Sequence, residues 1–246
     1  MQHLVASVTE LYCKWKGESP LSVDVLPQSG SERRYFRLHG SGGSVIGTYG
    51  ANIRENNTFI YFSRHFRAKD LAVPEILATS DDGLFYLQQD FGDTSLLNRL
   101  ESEGFSGTIY GLFRQSLEAL ALLQVKGDEE LDYSNCLTNT VFGKQAIMAD
   151  LLYFKYYFLD ALRKPYDKQK LIDDFEALST YLTHTEYKYF MFRDFQSRNI
   201  MVSPAPGGET VHFIDYQGGM KGAPQYDVAS MLWQARANLP EDWKNN

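Results

Sequence analysis

Residues 189–202 read YFMFRDFQSRNIMV, a short polar segment between two apolar runs that are typical of buried strands. Asp194 and Asn199 stand five positions apart in this segment, and a further strand-like run, HFIDYQGG at residues 212–219, ends with Asp215. An Asp and an Asn from one loop can face a single cleft, and an Asp from a neighbouring hairpin completes a set of oxygen ligands for a hard cation. The pattern therefore predicts a Mg²⁺ site between two hairpins.

These three residues divide into two chemical roles. Phosphoryl transfer needs little covalent help from a protein, so one carboxylate must orient the attacking hydroxyl while other groups hold the metal against the phosphate oxygens. We predict that Asp194 is the catalytic carboxylate. We predict that Asn199 and Asp215 are the metal ligands.

Composition restricts the class of protein and its partners. The chain has 246 residues, of which 43% are hydrophobic, enough to fill the core of one large domain or of two lobes. A net charge of -7 argues against nucleic acid or an anionic membrane as partner, because such surfaces need clustered Lys and Arg. The N-terminus lacks the features of a signal peptide, and no apolar run is long enough to span a membrane. We expect a cytoplasmic protein with two free thiols, Cys13 and Cys136.

The order of the secondary-structure signals predicts an α+β fold in two lobes. A helix, three short strands, a helix over residues 55–67 and two more strands predict a small antiparallel β-sheet lobe over residues 1–90. Long helical segments then dominate and predict a mainly helical lobe over residues 91–246. The segment LQQDFGDTS, residues 87–95, joins the two lobes, and ligands usually bind in such clefts.

Two helical segments carry further expectations. Periodicity predicts helices over residues 144–163 and 225–238. The first contains a dense group of aromatic residues, and aromatic stripes at helical spacing usually pack a core. We therefore expect the following rings to be buried: Tyr153, Phe154, Tyr156, Tyr157 and Phe158.

Three segments resemble the aminoglycoside phosphotransferase and choline kinase-like family: FRDFQSRN (residues 192–199), FIDYQ (213–217) and GAPQYDVASMLW (222–233). The resemblance implies a two-lobed, protein-kinase-like fold, ATP and Mg²⁺ as cofactors, and a hydroxyl of a small molecule as phosphoryl acceptor. It also implies that Asp227 is buried and braces the catalytic loop. Two phrases, SGSERRYFRL (29–38) and RDFQSRNIM (193–201), resemble the bacterial branch of N-acetylmuramate and N-acetylglucosamine kinases, so we expect a sugar or amino sugar as acceptor.

The same resemblance places the nucleotide over residues 29–37. Ser31 and nearby backbone amides would line a phosphate-binding turn, and Arg33, Arg34 or Arg37 would reach the phosphates with a forked guanidinium. The residues after the fifth strand would supply the adenine-binding hinge through main-chain groups. Gln89 and Phe91 are the residues that we assign to this hinge.

The chain departs from the family pattern at several points. The strand SVIGTYG, residues 44–50, has no Lys where kinases place the one that grips the phosphates, and Phe192 replaces the His of the catalytic loop. Glu55 is the candidate for the helix carboxylate that pairs with this Lys, and we expect an Arg from residues 33–37 to substitute for the Lys. Family members also continue with further helices, so we expect a truncated or minimal acceptor region.

Several alternatives remain open from the sequence. The missing Lys is also consistent with a catalytically weak nucleotide-binding or scaffold protein. A protein kinase ranks lower, because only residues 216–224 separate the metal Asp from the next turn and leave no platform for a peptide. The sequence does not decide the acceptor, the choice of ATP or GTP, or the oligomeric state.

Overall fold

A computed structural model describes residues 1–28 and 32–245 of the chain. The first part forms a five-stranded antiparallel sheet with the strand order β1-β2-β3-β5-β4, together with two helices. The predicted antiparallel sheet is therefore confirmed. The bounds are α1 Gln2–Lys16, β1 Ser22–Val25, β2 Arg34–Gly40, β3 Gly43–Tyr49, α2 Ile53–Arg67, β4 Ile76–Thr79 and β5 Phe85–Gln89.

The second part is mainly helical and carries two small two-stranded sheets, β6 with β9 and β7 with β8. Short 3₁₀ turns occupy Tyr133–Asn135 and Ser197–Asn199, and a π-helix occupies Lys155–Asp160. The α+β class is confirmed. The bounds are α3 Leu96–Glu103, α4 Gly107–Asp128, α5 Lys144–Phe154, α6 Lys168–Thr183, β6 Tyr189–Met191, β7 Ile200–Ala205, β8 Gly208–Phe213, β9 Met220–Gly222, α7 Gln225–Leu232 and α8 Glu241–Asn245.

Helix α1 covers one face of the five-stranded sheet. Phe36 and Leu38 are buried two residues apart on β2, as the alternation of a strand requires, and they pack with Val8 of α1. The helix lies so close that a Cβ on Gly47 would come within 2.3 Å of the Val8 side chain. A residue with a side chain at this position would push α1 off the sheet.

Helix α2 belongs to the larger of the two hydrophobic clusters. Its buried stripe of Phe59, Phe62 and Phe66 packs against Phe190 of β6 and against Tyr216, with ring centroids 4.8–5.8 Å apart. The core is therefore continuous across residue 90. The division into lobes of residues 1–90 and 91–246 stays a prediction.

Two helices differ in extent from the sequence expectation. The helix expected over residues 144–163 changes into a π-helix after Phe154, and the helix expected over 225–238 ends at Leu232. Beyond α7, Gln234 turns back towards the polar loop and its Oε1 accepts hydrogen bonds from the amide and hydroxyl of Ser197. The sequence analysis also missed the three-residue strand β9, which pairs with β6.

The expectation that the aromatic group on α5 packs a core was wrong. Only Ala146 and Ile147 are buried on α5, near its start, and no residue of the π-helix is buried. The rings stack on one another instead, Tyr153 on Tyr157 and Phe154 on Phe158. The exposed fraction of these side chains and of Tyr156 lies between 43% and 69%.

The thiols of Cys13 and Cys136 are both free, as predicted. Burial raises the pKa of Cys136 to about 11. Within residues 1–28 and 32–245, each helix is too short or too polar to cross a bilayer.

Candidate active site

Asp227, a fully buried residue of α7, holds the loop between β6 and β7 from the core side. Asp227 Oδ2 accepts hydrogen bonds from the Phe192 amide at 2.8 Å and from Gln124 Nε2 at 2.9 Å, and Oδ1 accepts one from the Arg193 amide at 2.9 Å. Burial raises the pKa of Asp227 to about 6, against the opposing effect of these donors. Arg193 has a φ of 82°, a conformation that a non-glycine residue adopts only when its surroundings enforce it. The predicted brace is confirmed in its geometry.

Asn199 ties the two halves of the predicted metal site together. Its side-chain Nδ2 donates to the Asp194 carbonyl at 2.9 Å, and its own carbonyl accepts from the Ile214 amide at 3.0 Å. Asp215 directly follows Ile214, so Asn199 and Asp215 flank the two ends of a single hairpin, β7–β8, and not two hairpins as predicted, while Asp194 lies in the loop that precedes this hairpin. The carboxylate of Asp194 is open to solvent, with 55% of its side chain exposed and Arg198 as a loose partner at 3.7 Å.

Asp215 is half-buried and stands at a sharp bend with a φ of 70°. Its Oδ1 accepts a hydrogen bond from Gln217 Nε2 at 2.8 Å. The next residue, Tyr216, turns into the core, where its ring stacks on Phe59 and its hydroxyl lies 2.6 Å from Ser63 Oγ. The bend thus turns Asp215 away from the core and anchors its neighbour to α2.

The donor set at this point fits Mg²⁺. Because Asn199 Nδ2 is used by the Asp194 carbonyl, Asn199 Oδ1 faces the other way, and it accepts no hydrogen bond from the part of the chain that the structure describes. Asp215 Oδ2 is likewise without a donor among those residues. One amide oxygen and one carboxylate oxygen are hard ligands, and Mg²⁺ is usually bound through one or two carboxylates together with phosphates.

A buried ion pair stands across from the bend. Arg33, with 5% of its side chain exposed, places a guanidinium nitrogen 3.1 Å from Glu55 Oε1 at the start of α2, and its guanidinium carbon lies 5.7 Å from the Phe59 ring centre. The pair lines a cleft of about 150 Å³ with Gly50 and Asn52. The expected Arg partner of Glu55 is therefore present.

A family model described as the phosphotransferase enzyme family, APH, matches residues 25–245 of the chain. The chain belongs to this phosphotransferase family. It therefore transfers a phosphoryl group to a hydroxyl acceptor, and ATP-dependent phosphorylation of a small molecule is the activity that the family supports. None of the curated proteins matches the sequence.

Solved structures share the fold of this phosphotransferase. The apo form of a thermostable mutant of aminoglycoside phosphotransferase APH(4)-Ia has a TM-score of 0.61 and 17% identity over 96% of this chain and 80% of that one. Choline kinase LicA from Streptococcus pneumoniae has a TM-score of 0.67 and 12% identity over 99% and 78%. APH(2")-IIa, in a ternary complex with streptomycin and ATP, has a TM-score of 0.58 and 12% identity over 91% and 74%. The predicted two-lobed, protein-kinase-like fold is confirmed.

The other predicted nucleotide ligands of the phosphotransferase lie in different surroundings. Ser31 falls outside the described residues. Arg34 is half-buried on β2 opposite Tyr49, and Gln89 is exposed at the end of β5, where its amide donates to the Glu75 carbonyl. For these residues nucleotide binding stays a prediction.

Phe91, the second residue assigned to the hinge, already has an aromatic partner. Its ring stacks face to face on His212 of β8, with centroids 3.8 Å apart and an interplanar angle of 7°. Burial lowers the pKa of His212 to about 4, so this ring is neutral at pH 7. The stack on His212 covers one face of the Phe91 ring, and adenine binding by the main chain of Phe91 stays a prediction.

Arg37 is the predicted phosphate ligand that the structure assigns elsewhere. Its guanidinium donates to Asp90 at 2.6 and 3.1 Å and to Asp93 at 2.6 Å, so the fork is already filled by two carboxylates of the linker after β5. Although burial opposes the shift, hydrogen bonds from Arg37, Ser44 and the Gly92 amide hold the pKa of Asp90 below its ordinary value. Arg37 thus fastens the linker to the sheet, and phosphate binding by Arg37 stays a prediction.

The contacts of Arg37 with Asp90 and Asp93 should contribute measurably to the free energy of unfolding. Arg37→Lys should lower the free energy of unfolding by about 1–3 kcal/mol, the range for hydrogen bonds to charged groups, because lysine keeps the charge but loses the fork. Urea unfolding measures the change. Arg114→Lys, in the exposed pair with Glu118 on α4, is the matched control. Equal stabilities of the two variants would show that the Arg37 contacts do not hold the linker.

Two polar residues near the site were not found by sequence reasoning. Asp150 of α5 accepts hydrogen bonds from both terminal guanidinium nitrogens of Arg193, at 2.8 and 3.0 Å. It thereby connects the loop between β6 and β7 to α5. Gln217 contacts both Asp215 and Glu55. The only local signal for Gln217 was its position in the FIDYQ segment.

Proposed function

We propose that this phosphotransferase moves the γ-phosphoryl group of Mg·ATP to a hydroxyl of a sugar or amino sugar, with Asp194 as the carboxylate that orients this hydroxyl. The supporting observation is the convergence of Asp194, Asn199 and Asp215, which are linked through Asn199 Nδ2 and the Ile214 amide. A solvent-open carboxylate beside two unengaged oxygen ligands is the arrangement that phosphoryl transfer requires.

Each residue has a defined task in this proposal. Asp194 accepts a hydrogen bond from the acceptor hydroxyl and takes its proton as the acceptor oxygen bonds to the γ-phosphorus, while the bond from this phosphorus to the β-phosphate oxygen breaks and ADP leaves. Asn199 Oδ1 and Asp215 Oδ2 would hold the metal, and the side-chain bond of Asn199 to the Asp194 carbonyl and its backbone bond to the Ile214 amide fix the position of Asn199. Bound Mg²⁺ would neutralise charge on the phosphate oxygens.

Arg33 takes the place of the missing strand Lys in this proposal. It is the cation that faces Glu55, and a guanidinium can pair with a carboxylate and still present N–H groups to a phosphate. The alternative of a catalytically weak scaffold was motivated by the missing Lys. The Arg33–Glu55 pair argues against this alternative, because a cation does stand opposite the α2 carboxylate.

Arg33→Met should weaken the binding of a non-hydrolysable ATP analogue by about 10- to 100-fold, since it removes a charge-assisted contact to phosphate while keeping the length of the side chain. Isothermal titration calorimetry with Mg²⁺ measures the effect. Arg114→Met on the exposed face of α4 is the control. Unchanged affinity in Arg33→Met would remove Arg33 from the nucleotide site.

The choice of a sugar acceptor is supported by the segments at residues 29–38 and 193–201, which resemble amino-sugar kinases. Transfer of labelled phosphate from ATP to a panel of N-acetylglucosamine, N-acetylmuramate, aminoglycosides and choline tests it. The proposal expects the highest kcat/KM for an amino sugar. Preferred transfer to choline would contradict the sugar class, and thermal stabilisation by Mg·ATP without transfer to any acceptor would favour the scaffold.

A further inference from the structure

Gln217 connects two carboxylates that come from distant parts of the chain. Its Nε2 donates to Asp215 Oδ1 at 2.8 Å and to Glu55 Oε1 at 3.3 Å. A glutamine amide carries two hydrogens, so both bonds can form at once. The opposite orientation would set the amide oxygen against two carboxylates, and the charges therefore fix which end of the amide faces them.

The backbone around Asp215 sets Gln217 in this position. Tyr216 is anchored in the core by Ser63, while the side chains of Asp215 and Gln217 on either side of it turn away from the core and contact each other. A turn closes behind them, in which the Gly219 amide donates to the Tyr216 carbonyl. A Cβ at Gly219 would lie 2.4 Å from the Phe190 ring, so this turn packs tightly and leaves Gln217 little freedom.

The contacts of Gln217 complete a series of polar contacts that runs from Arg33, the proposed phosphate ligand, to Asp215, the proposed metal ligand. Arg33 pairs with Glu55, Glu55 accepts from Gln217, and Gln217 donates to Asp215. Gln217 Oε1 is buried and has no hydrogen-bond partner among residues 1–28 and 32–245. A buried oxygen without a hydrogen-bond donor lowers the stability of the fold, so an apolar side chain of equal size would be more stable at position 217 if the role were purely structural. What glutamine provides and an apolar side chain does not is the pair of N–H bonds to Asp215 and Glu55.

We propose that Gln217 is a positioning residue that holds Asp215 with its free oxygen towards the metal and couples this orientation to the Arg33–Glu55 pair. The inference rests on the proposed function, because it assumes that Asp215 is a metal ligand. Gln217 acts through Asp215 and touches neither the acceptor nor the transferred phosphate. Its loss should therefore change metal binding and kcat but not the KM for the acceptor.

Gln217→Met tests the proposal, since methionine fills the same volume without an N–H donor. The enzyme saturated with a non-hydrolysable ATP analogue is titrated with Mn²⁺, and bound metal is followed by electron paramagnetic resonance. Mn²⁺ affinity should fall about 10-fold, as expected for loss of a hydrogen bond to a charged group. Gln115→Met is the matched control, because Gln115 is also half-buried, donates one bond to the Glu209 carbonyl and has a buried Oε1 without a partner among the described residues. The control should keep the affinity of the wild type.

Glu55→Met provides a second test that does not depend on the folding of Gln217→Met, because methionine has no oxygen to accept from Gln217 Nε2. Glu55 is not a metal ligand in the proposal, yet its change should weaken Mn²⁺ binding through Gln217 and should add little to the effect of Gln217→Met. Wild-type Mn²⁺ affinity in Gln217→Met, or in Glu55→Met, would overturn the inference alone. Absence of Mn²⁺-dependent nucleotide binding in the wild type would overturn the proposed function as well.

Discussion

Asp194→Asn should reduce phosphoryl transfer by about 10²–10⁴-fold, the range for removal of a general base, and should leave nucleotide binding unchanged. Asparagine has the same shape but cannot take the proton of the acceptor hydroxyl. The contacts that hold the loop use the Asp194 carbonyl, which the substitution keeps. The rate is measured as labelled phosphate transferred to the preferred acceptor, and binding as the dissociation constant of a non-hydrolysable ATP analogue.

The control for this change is Asp173→Asn on α6, an exposed carboxylate of the same type. It should keep wild-type rates. If Asp194→Asn retains more than about a tenth of the wild-type rate, Asp194 is not the base, because a general base contributes at least about 10²-fold. If its rate and its nucleotide affinity fall together, the residue belongs to the nucleotide site instead.

Asp227→Ala should lower the free energy of unfolding by about 3–5 kcal/mol, as for a broken buried charged network. Two backbone amides, those of Phe192 and Arg193, and the amide of Gln124 would lose their common acceptor in the core. Urea unfolding followed by circular dichroism measures the loss. Asp132→Ala, which removes an exposed cap of a 3₁₀ turn, is the control and should cost about 1 kcal/mol. Equal losses in the two variants would contradict a bracing role.

The stability that Asp227 confers should also depend on pH. Its folded pKa of about 6 lies above the ordinary value of 3.8, so between these values the folded chain keeps a proton that the unfolded chain releases. Stability contributed by this group is then complete below pH 3.8 and declines as the pH rises towards 6. The gap between wild type and Asp227→Ala should narrow by about 1–3 kcal/mol over this window. A gap that widens with pH would show that the three donors outweigh burial.

The convergence of Asp194, Asn199 and Asp215 could be predicted from sequence because all three lie within one short stretch of chain, and their catalytic roles stay a prediction. Asp194 and Asn199 share one loop, and their spacing already restricts how they can face a cleft. Asn199 and Asp215 flank one hairpin, β7–β8, whose strand pairing brings its two ends together. Asn199 Nδ2 donates to the Asp194 carbonyl five residues earlier, and the Ile214 amide, next to Asp215, donates to the Asn199 carbonyl.

The nucleotide side was harder to predict because it depends on side-chain directions over long sequence separations. Arg33 and Arg37 look alike in sequence, yet Arg33 meets Glu55 at the start of α2, while Arg37 meets Asp90. Which carboxylate each one reaches is decided by strand register and by where the linker passes. The contact of Gln217 could not be predicted for the same reason, because its partner Glu55 lies 162 residues away in the sequence.

The aromatic residues of α5 show the limit of periodicity arguments. Spacing indicates which rings share a face of a helix, but it does not indicate whether another element covers that face. Here Tyr153 and Tyr157 do share a face and do touch, as helical spacing requires. They remain exposed, because the structure buries only Ala146 and Ile147 of α5, near its start, and leaves the face of the tyrosines uncovered.

The linker after β5 is fastened from both directions. Arg37 pulls Asp90 and Asp93 to the sheet, whereas Phe91 stacks on β8 and the Thr94 carbonyl accepts a hydrogen bond from the Val202 amide of β7. Rotation of the sheet against the helices would have to break one of these attachments. The linker is therefore a stiff connection, and a movement of the five-stranded sheet relative to β7 and β8 has a cost in broken contacts before any substrate arrives.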